Sequence, residues 1–390
     1  MPSPSVDDGP AYCPVIRWPR RIFDLPGEGG TPMLRITRQK HLTVFSLFWF
    51  LFAAGAVAAQ PAVDPVDTRL LFESHDPMTV RIEAPLTTLL EELPEEEYLD
   101  GTFTYPDSSG TEHTFDIKLQ TRGITRRNKS ICNFPPVRLN FRKKQVEGTE
   151  FAGQDKLKLV THCQTKKDTF EQLVLREYLA YRILQTLTDK SFRARLMRIT
   201  YVDTEDPEDR FTKFGFVIED ENKLGDRLGL GDAKVRGIKE EELDARQANL
   251  ISVFEYLIGN TDFSLILGPA SKSCCHNSVL YSDGGPPYTP IPYDFDYSGI
   301  VDAPYAVPNP RFKLRSVKKR LYRGRCINNH LLDDTFAYFL EKEPEIRKLV
   351  DDLEGLDRRD RKEVQYFLDK FFKEIANPKQ KERLFTSKCV

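Results

Sequence analysis

Short stretches in which apolar and polar residues alternate fill the first half of the chain, and apolar residues at helical spacing dominate the second. Residues 79–82 predict a short strand. Residues 86–97 are acidic and Leu-rich and predict a helix broken by Pro94. Residues 101–105 and 114–119 alternate around Pro106-Asp107-Ser108-Ser109-Gly110, which predicts a hairpin with a longer loop. Residues 136–141 and 156–160 read as further strands. From Asp168 a strong helix is expected, because Phe170, Leu173, Val174, Tyr178, Tyr181, Leu184 and Leu187 recur on one face. Residues 196–202 and 214–219 read as two strands joined by an acidic turn around Pro207. Beyond Glu219 the chain is polar and Gly-rich to about Gly237, and a boundary between two lobes, 79–220 and 221–390, is expected there. Residues 240–259 then predict a helix, 276–281 a short strand, and 290–296 an apolar strand ending in two carboxylates. A basic run at 311–325 precedes two amphipathic helices, 330–350 and 358–376. No internal repeat is visible.

Composition narrows this only slightly. The chain has 390 residues, 40% of them hydrophobic, enough for a sizeable core, and a net charge of -2, which gives no nucleic-acid signature. The N-terminal region is more informative. Arg35, Arg38 and Lys40 precede an apolar run at 42–54, and Ala56-Val57-Ala58 follows. A basic segment, an apolar segment and a small-residue cleavage site are the parts of a secretory signal. As a membrane anchor the apolar run is short for a spanning helix. Residues 1–32 are therefore expected to be an upstream extension of a chain that starts at Met33, 33–58 a signal peptide and 59–78 a linker. That predicts a periplasmic or secreted protein with no stable membrane span after cleavage. Of seven cysteines, removal of Cys13 with the leader leaves six, and an oxidising compartment favours disulfides. Their connectivity stays open, with Cys132–Cys163 the first candidate because both lie near predicted strand ends. Zinc is disfavoured, since no C-x-x-C pair with matching spacing occurs.

The candidate chemistry lies in separate segments. Arg122-Gly123 opens a basic, hydroxyl-bearing turn between two strands, where backbone N–H groups and arginines could cover phosphates; a plain basic surface hairpin fits the same residues. Arg138 and Lys158 are alternative phosphate-contacting cations on the next two strands, and Lys158 with Glu177 on the following helix would match a strand–helix ion pair. Asp262 follows the Gly259-Asn260-Thr261 turn, Asn277 begins a strand, and Asp294 and Asp296 end another. Carboxylates and an amide with no His cluster suit a hard, oxygen-seeking ion such as Mg²⁺ or Mn²⁺.

The Arg122-Gly123 turn, the strand Phe216-Val217-Ile218-Glu219, the Gly-Asn-x-Asp segment ending at Asp262, the His-Asn-x-x-Leu-Tyr strand from His276 and Ile291-Pro292-Tyr293-Asp294-Phe295-Asp296 together resemble the CotH spore-coat protein kinase family. The resemblance covers roughly residues 115–300. It implies an α+β, two-lobed, protein-kinase-like fold with a strand-rich N-terminal lobe and a helical C-terminal lobe. It implies Asp262 as the catalytic base, and Asn277 and Asp294 as holders of Mg²⁺ or Mn²⁺ on the phosphates of ATP or another nucleotide, with Asp296 assisting. Arg122 and Gly123 would cover the phosphates, and Glu219 would lie near the adenine. Residues 265–275, between Asp262 and Asn277, must then loop out. The expected activity is transfer of a phosphoryl group to a hydroxyl acceptor, a protein or envelope component, with protein Ser/Thr the first choice. The alternatives are a non-catalytic, pseudokinase-like binding module of the cell envelope and a metal-dependent hydrolase, the latter without the usual His ligands.

Overall fold

A computed structural model describes residues 70–268 and 274–390. The expected upstream extension, signal peptide and most of the linker lie outside the described residues. Among those described, no helix is long and apolar enough to cross a membrane.

Seven strands form the first layer: β1 (Met78–Ala84), β2 (Leu99–Pro106), β3 (Glu112–Thr121), β4 (Val137–Phe141), β5 (Lys156–Val160), β6 (Ala194–Asp203) and β7 (Arg210–Ile218). They pair in the order β1-β2-β3-β4-β5-β7-β6, and β1 lies parallel to β6 from Met78↔Met197 to Ala84↔Asp203, which closes a barrel. This corrects the expected two-lobed, protein-kinase-like fold: the strand-rich half is a closed barrel, not the sheet lobe of that architecture. Strand alternation in a sequence reveals which face is apolar but not which strand is the neighbour. Here the closing pair joins segments more than a hundred residues apart.

The barrel interior follows from period-2 burial. Phe103, Tyr105, Phe115, Ile117, Leu119, Leu139, Phe141, Leu157, Leu159, Met197 and Tyr201 belong to one buried cluster, in which Phe151 meets the rings of Phe103, Tyr105, Phe115 and Phe141. On β5 the intervening Lys158 and Val160 face the other way, Lys158 half-buried. A short helix α1 (Leu86–Glu92) follows β1 and ends before Pro94, and Asp203 accepts from the backbone N–H groups of Leu86 and Thr87 at 2.9 Å each.

The second core is mainly helical. α2 (Asp168–Leu187) packs on β7 and α5 (Leu332–Asp352); its successive residues Val174 to Ile183 are almost all buried because apolar groups press on it from both sides. α3 (Glu221–Leu228), in the polar, Gly-rich stretch expected to mark a boundary between lobes, is capped by Asp220, whose side chain accepts from Asn222 N–H. A small sheet, β8 (Gly231–Asp232), β9 (Ser278–Ser282) and β10 (Thr289–Pro292), sits against α4 (Ala245–Ile258). α6 (Arg358–Ala376) and α7 (Pro378–Leu384) complete the layer. Disulfides join Cys132 to Cys163, the expected pair, Cys326 to Cys389 near the C-terminus, and the adjacent Cys274 and Cys275.

Candidate functional site

The site grows from the turn after β3. Gly123 has φ +89°, a left-handed conformation that a side chain would strain. The chain then enters a 3₁₀ turn, Thr125–Arg127, that sends the Arg126 side chain inward, 7% exposed. Cys132–Cys163 and the Phe134 N–H to Cys163 O bond of 3.0 Å tie the far end of this loop to the segment after β5.

Arg126 is a hub. Its guanidinium lies 3.1 Å from Glu177 Oε2, 3.4 Å from Asp296 Oδ2 and 3.8 Å from Asp294 Oδ1. Burial works against its charge, but Glu177, Tyr305 and the two aspartates more than offset that and hold it firmly protonated. Three carboxylates around one cation leave excess negative charge. Burial pushes Glu177 up to about 8 against the pull of Arg126, and Asp296 up to about 6. Glu177 Oε1 is buried without a hydrogen-bond partner among the described residues, whereas Asp296 also accepts from Tyr305 OH at 3.1 Å.

Glu177, Arg122, Arg126, Lys158, Tyr181, Tyr293 and Asp294 line one narrow cleft beside the barrel, with about 10 Å³ of enclosed space. Arg122 is half-buried there with no carboxylate within 4 Å among the described residues; burial lowers its pKa, and Asp294 opposes that. The expected Lys158–Glu177 pair does not form. Lys158 Nζ donates to Glu221 Oε1 at 2.6 Å and sits 5.6 Å from the Tyr293 ring centre, while Glu177 belongs to Arg126. Arg138 is opposite Lys158 in register but does not line the cleft. Glu219 is 4% exposed and bound by Arg227 Nε and Nη2 at 2.9 and 2.8 Å, so its side chain fastens α3 rather than facing a ligand.

The acidic and amide groups come together at the other side. α4 ends at Gly259, φ +71°, and Asn260 Oδ1 accepts from Asp262 N–H at 2.9 Å. Asn277 Nδ2 donates to Asp262 O at 2.7 Å and to Asp262 Oδ2 at 3.0 Å; His276 Nε2 lies 2.8 Å from Asp262 Oδ1. That contact with Asp262 raises the His276 pKa against the effect of burial. Asn277 O accepts from Tyr293 N–H at 3.0 Å, and Asp294 N–H donates to Tyr181 OH at 3.0 Å. One hydrogen-bonded chain thus runs from Asp262 through Asn277 to the backbone beside Asp294. Asn277 and Asp294 both have positive φ, 50° and 64°, the left-handed region that Asn and Asp enter more readily than other side chains.

Asp294 and Asn277 suit a hard cation. The Asp294 carboxylate is 46% exposed with only the distant Arg126 contact, and Asn277 Oδ1 accepts no hydrogen bond among the described residues. Asp296 suits one less, because its carboxylate is turned to Arg126 and Tyr305. Among the described residues no group of three or more His, Cys, Asp or Glu is arranged to hold a metal on its own, so a cation here would draw further oxygen ligands from water or a phosphorylated ligand. Arg126, Tyr305 and Glu221 were not singled out by sequence, and His276 and Tyr181 stood out only as parts of a strand motif and a helix face. A buried guanidinium in a basic turn looks like its exposed neighbours, and the partners come from remote segments.

No family model matches the chain, and no curated protein matches it.

Proposed function

We propose that the chain is a phosphotransferase that moves a nucleotide phosphoryl group to a hydroxyl acceptor, as the resemblance to the CotH spore-coat kinases implies, on a scaffold built round a closed barrel. The observation that carries the reading is the hydrogen-bonded run Asp262–Asn277–Tyr293–Asp294 lying against a cleft that also holds Arg122 and Lys158. Cations for phosphate oxygens and oxygen ligands for a divalent ion meet there, which is the combination phosphoryl transfer requires.

In this reading Asn277 and Asp294 would hold Mg²⁺ or Mn²⁺, which would offset charge on the phosphates of ATP or another nucleotide. Arg122 and Lys158 bind phosphate oxygens; Lys158 leaves Glu221 to do so. Asp262, with Oδ2 held by Asn277 and Oδ1 by His276, accepts the proton of the acceptor hydroxyl. Arg126 keeps Glu177, Asp294 and Asp296 from repelling one another. The acceptor is a protein or envelope component, Ser/Thr first, and the disulfides fit action in a periplasmic or secreted setting.

Transfer of labelled phosphate from ATP with Mg²⁺ or Mn²⁺ tests it. Asp262→Ala should retain nucleotide binding and lose turnover, and Asp294→Ala should lose metal-dependent binding. Equal transfer by both variants and the wild type rejects the assignment. The narrowness of the cleft favours a second reading, a non-catalytic binding module, since a nucleotide must part the walls to enter. The absence of a thermal shift with any nucleotide and Mg²⁺ or Mn²⁺ would select it.

A further inference from the structure

The run from Arg311 to Arg325 carries eight cations and no acidic residue in a chain of net charge -2. The structure divides these cations into two sets. Lys318 pairs with Asp302, Arg325 with Glu240, and Arg320 donates to the carbonyls of Tyr256, Leu257 and Phe367. Arg323 is also internal. Arg311, Lys313, Arg315 and Lys319 are exposed and have no ion-pair partner among the described residues.

Arg323 fixes where this second set stands. Its guanidinium lies 4.8 Å from the Phe263 ring centre and 4.7 Å from that of Phe312, between the two. Its Nη1 donates to Thr261 O at 2.9 Å and to Phe263 O, the carbonyls that flank Asp262. Phe312 sits between Arg311 and Lys313, so the strip of unpaired cations is bolted to the segment that presents Asp262. Unneutralised like charges within nine residues of one exposed segment favour an opposite charge, and such segments steer anionic partners.

We infer that Arg311, Lys313, Arg315 and Lys319 form the docking surface for an acidic polypeptide that carries the acceptor hydroxyl. The inference rests on the phosphotransferase reading for the word acceptor, not for the binding. A polypeptide is favoured over a lipid surface because the apolar residues within 311–319 are not free, Phe312 being engaged by Arg323, Leu314 partly buried and Val317 buried, which leaves the single exposed Val307 outside the strip as too small an anchor for a membrane. The hydroxyl is expected a few residues from the acidic stretch, since the strip and Asp262 are separated by one side-chain stack.

The test measures fluorescence anisotropy of two labelled peptides, a Ser-containing Glu-rich one and a Ser/Gly one, together with sedimentation of phosphatidylglycerol and phosphatidylcholine vesicles. The protein is the full chain and its Arg311→Glu/Lys313→Glu/Arg315→Glu variant, with Arg311→Gln/Lys313→Gln/Arg315→Gln as a milder second variant. The acidic peptide should bind the wild type more tightly than the neutral one. Its affinity should fall about tenfold in the charge-reversed variant and by a smaller factor in the neutralised one, and the differences should shrink at high salt. Nucleotide binding should be the same in all three proteins. Equal binding of the two peptides, no loss in either variant, or binding to anionic vesicles alone would overturn the proposal. Charge-selective peptide binding with no phosphate transfer would leave the docking surface standing and remove the phosphotransferase reading. Transfer to both peptides with equal KM would do the reverse.

Discussion

The barrel interior and the cleft outside its wall are made by the same strands and have opposite character. On β5, Leu157 and Leu159 point into a core of rings, whereas Lys158 between them points into the cleft. Inside, Phe151 has ring centres at 5.1 Å from Phe103, 5.0 Å from Tyr105 and 5.3 Å from Phe141. Outside, one guanidinium faces three carboxylates. The first region is stabilised by burial and packing, which are insensitive to pH and salt. The second holds buried charges that cost free energy on desolvation and are kept in place by the rest of the fold. The inner face of the wall is mainly apolar, whereas the outer face is shared between the helical core, through Val160 and Phe216, and the charged cleft.

Mutations should separate the two. Phe151→Ala removes a ring at the centre of the interior and should cost about 4 kcal/mol by denaturant titration, with a cavity left behind and nearly the same loss across pH. A loss below about 1 kcal/mol would mean that the interior is looser than the packing indicates. Arg126→Met leaves Glu177 and Asp296 without their cation and should cost about 3 kcal/mol near neutral pH. Adding Glu177→Gln should recover part of that loss, and no recovery would count against the hub.

Glu255 sharpens the contrast further. It is 1% exposed, neither side-chain oxygen meets a hydrogen-bond partner in good geometry among the described residues, and burial pushes it up from 4.5 to about 8, with Asn260 and Arg323 opposing. The folded chain keeps a proton there that the unfolded chain gives up. Its stabilising contribution is therefore complete below pH 4.5 and falls as pH rises towards 8. Glu255→Gln should remove that slope and stabilise the protein by about 2 kcal/mol at pH 8 relative to wild type. Parallel stability–pH curves for the two proteins would contradict this. The smallest effect on stability is expected for Lys158→Ala. Its pair with Glu221 is partly exposed and should contribute less than about 1 kcal/mol, yet nucleotide binding should weaken clearly. A large stability loss with binding intact would return Lys158 to a structural role.

Much of the secondary structure was legible because it follows local periodicity. The hairpin of β2 and β3, the long α2, and α4 ending at Gly259 all declare themselves by alternation, helical spacing or a C-cap glycine. Barrel closure was not legible, because the β1–β6 register depends on matching two distant strands, neither of which carries a partner label. α3 was hidden in a Gly-rich stretch and is revealed by its Asp220 cap and the Arg227–Glu219 pair. The site divides in the same way. Asp262, Asn277 and Asp294 stood out as polar residues at the ends of apolar segments, and the structure brings them together. The pairing of Glu177 with Arg126 rather than Lys158 could not be read, because β-strand and helix spacing do not say which of several cations reaches a buried carboxylate. Glu219, which the resemblance placed near the adenine, has both side-chain oxygens bound by Arg227 from the following helix, a partner that sequence spacing does not show.

The most direct test of the proposed site is calorimetric titration of the protein with ATP in the presence of Mg²⁺ or Mn²⁺, repeated with the metal chelated and with Asp294→Ala. Saturable binding that disappears on chelation and in the variant is the predicted result. Absence of any nucleotide binding, or binding indifferent to both the metal and Asp294, would contradict it.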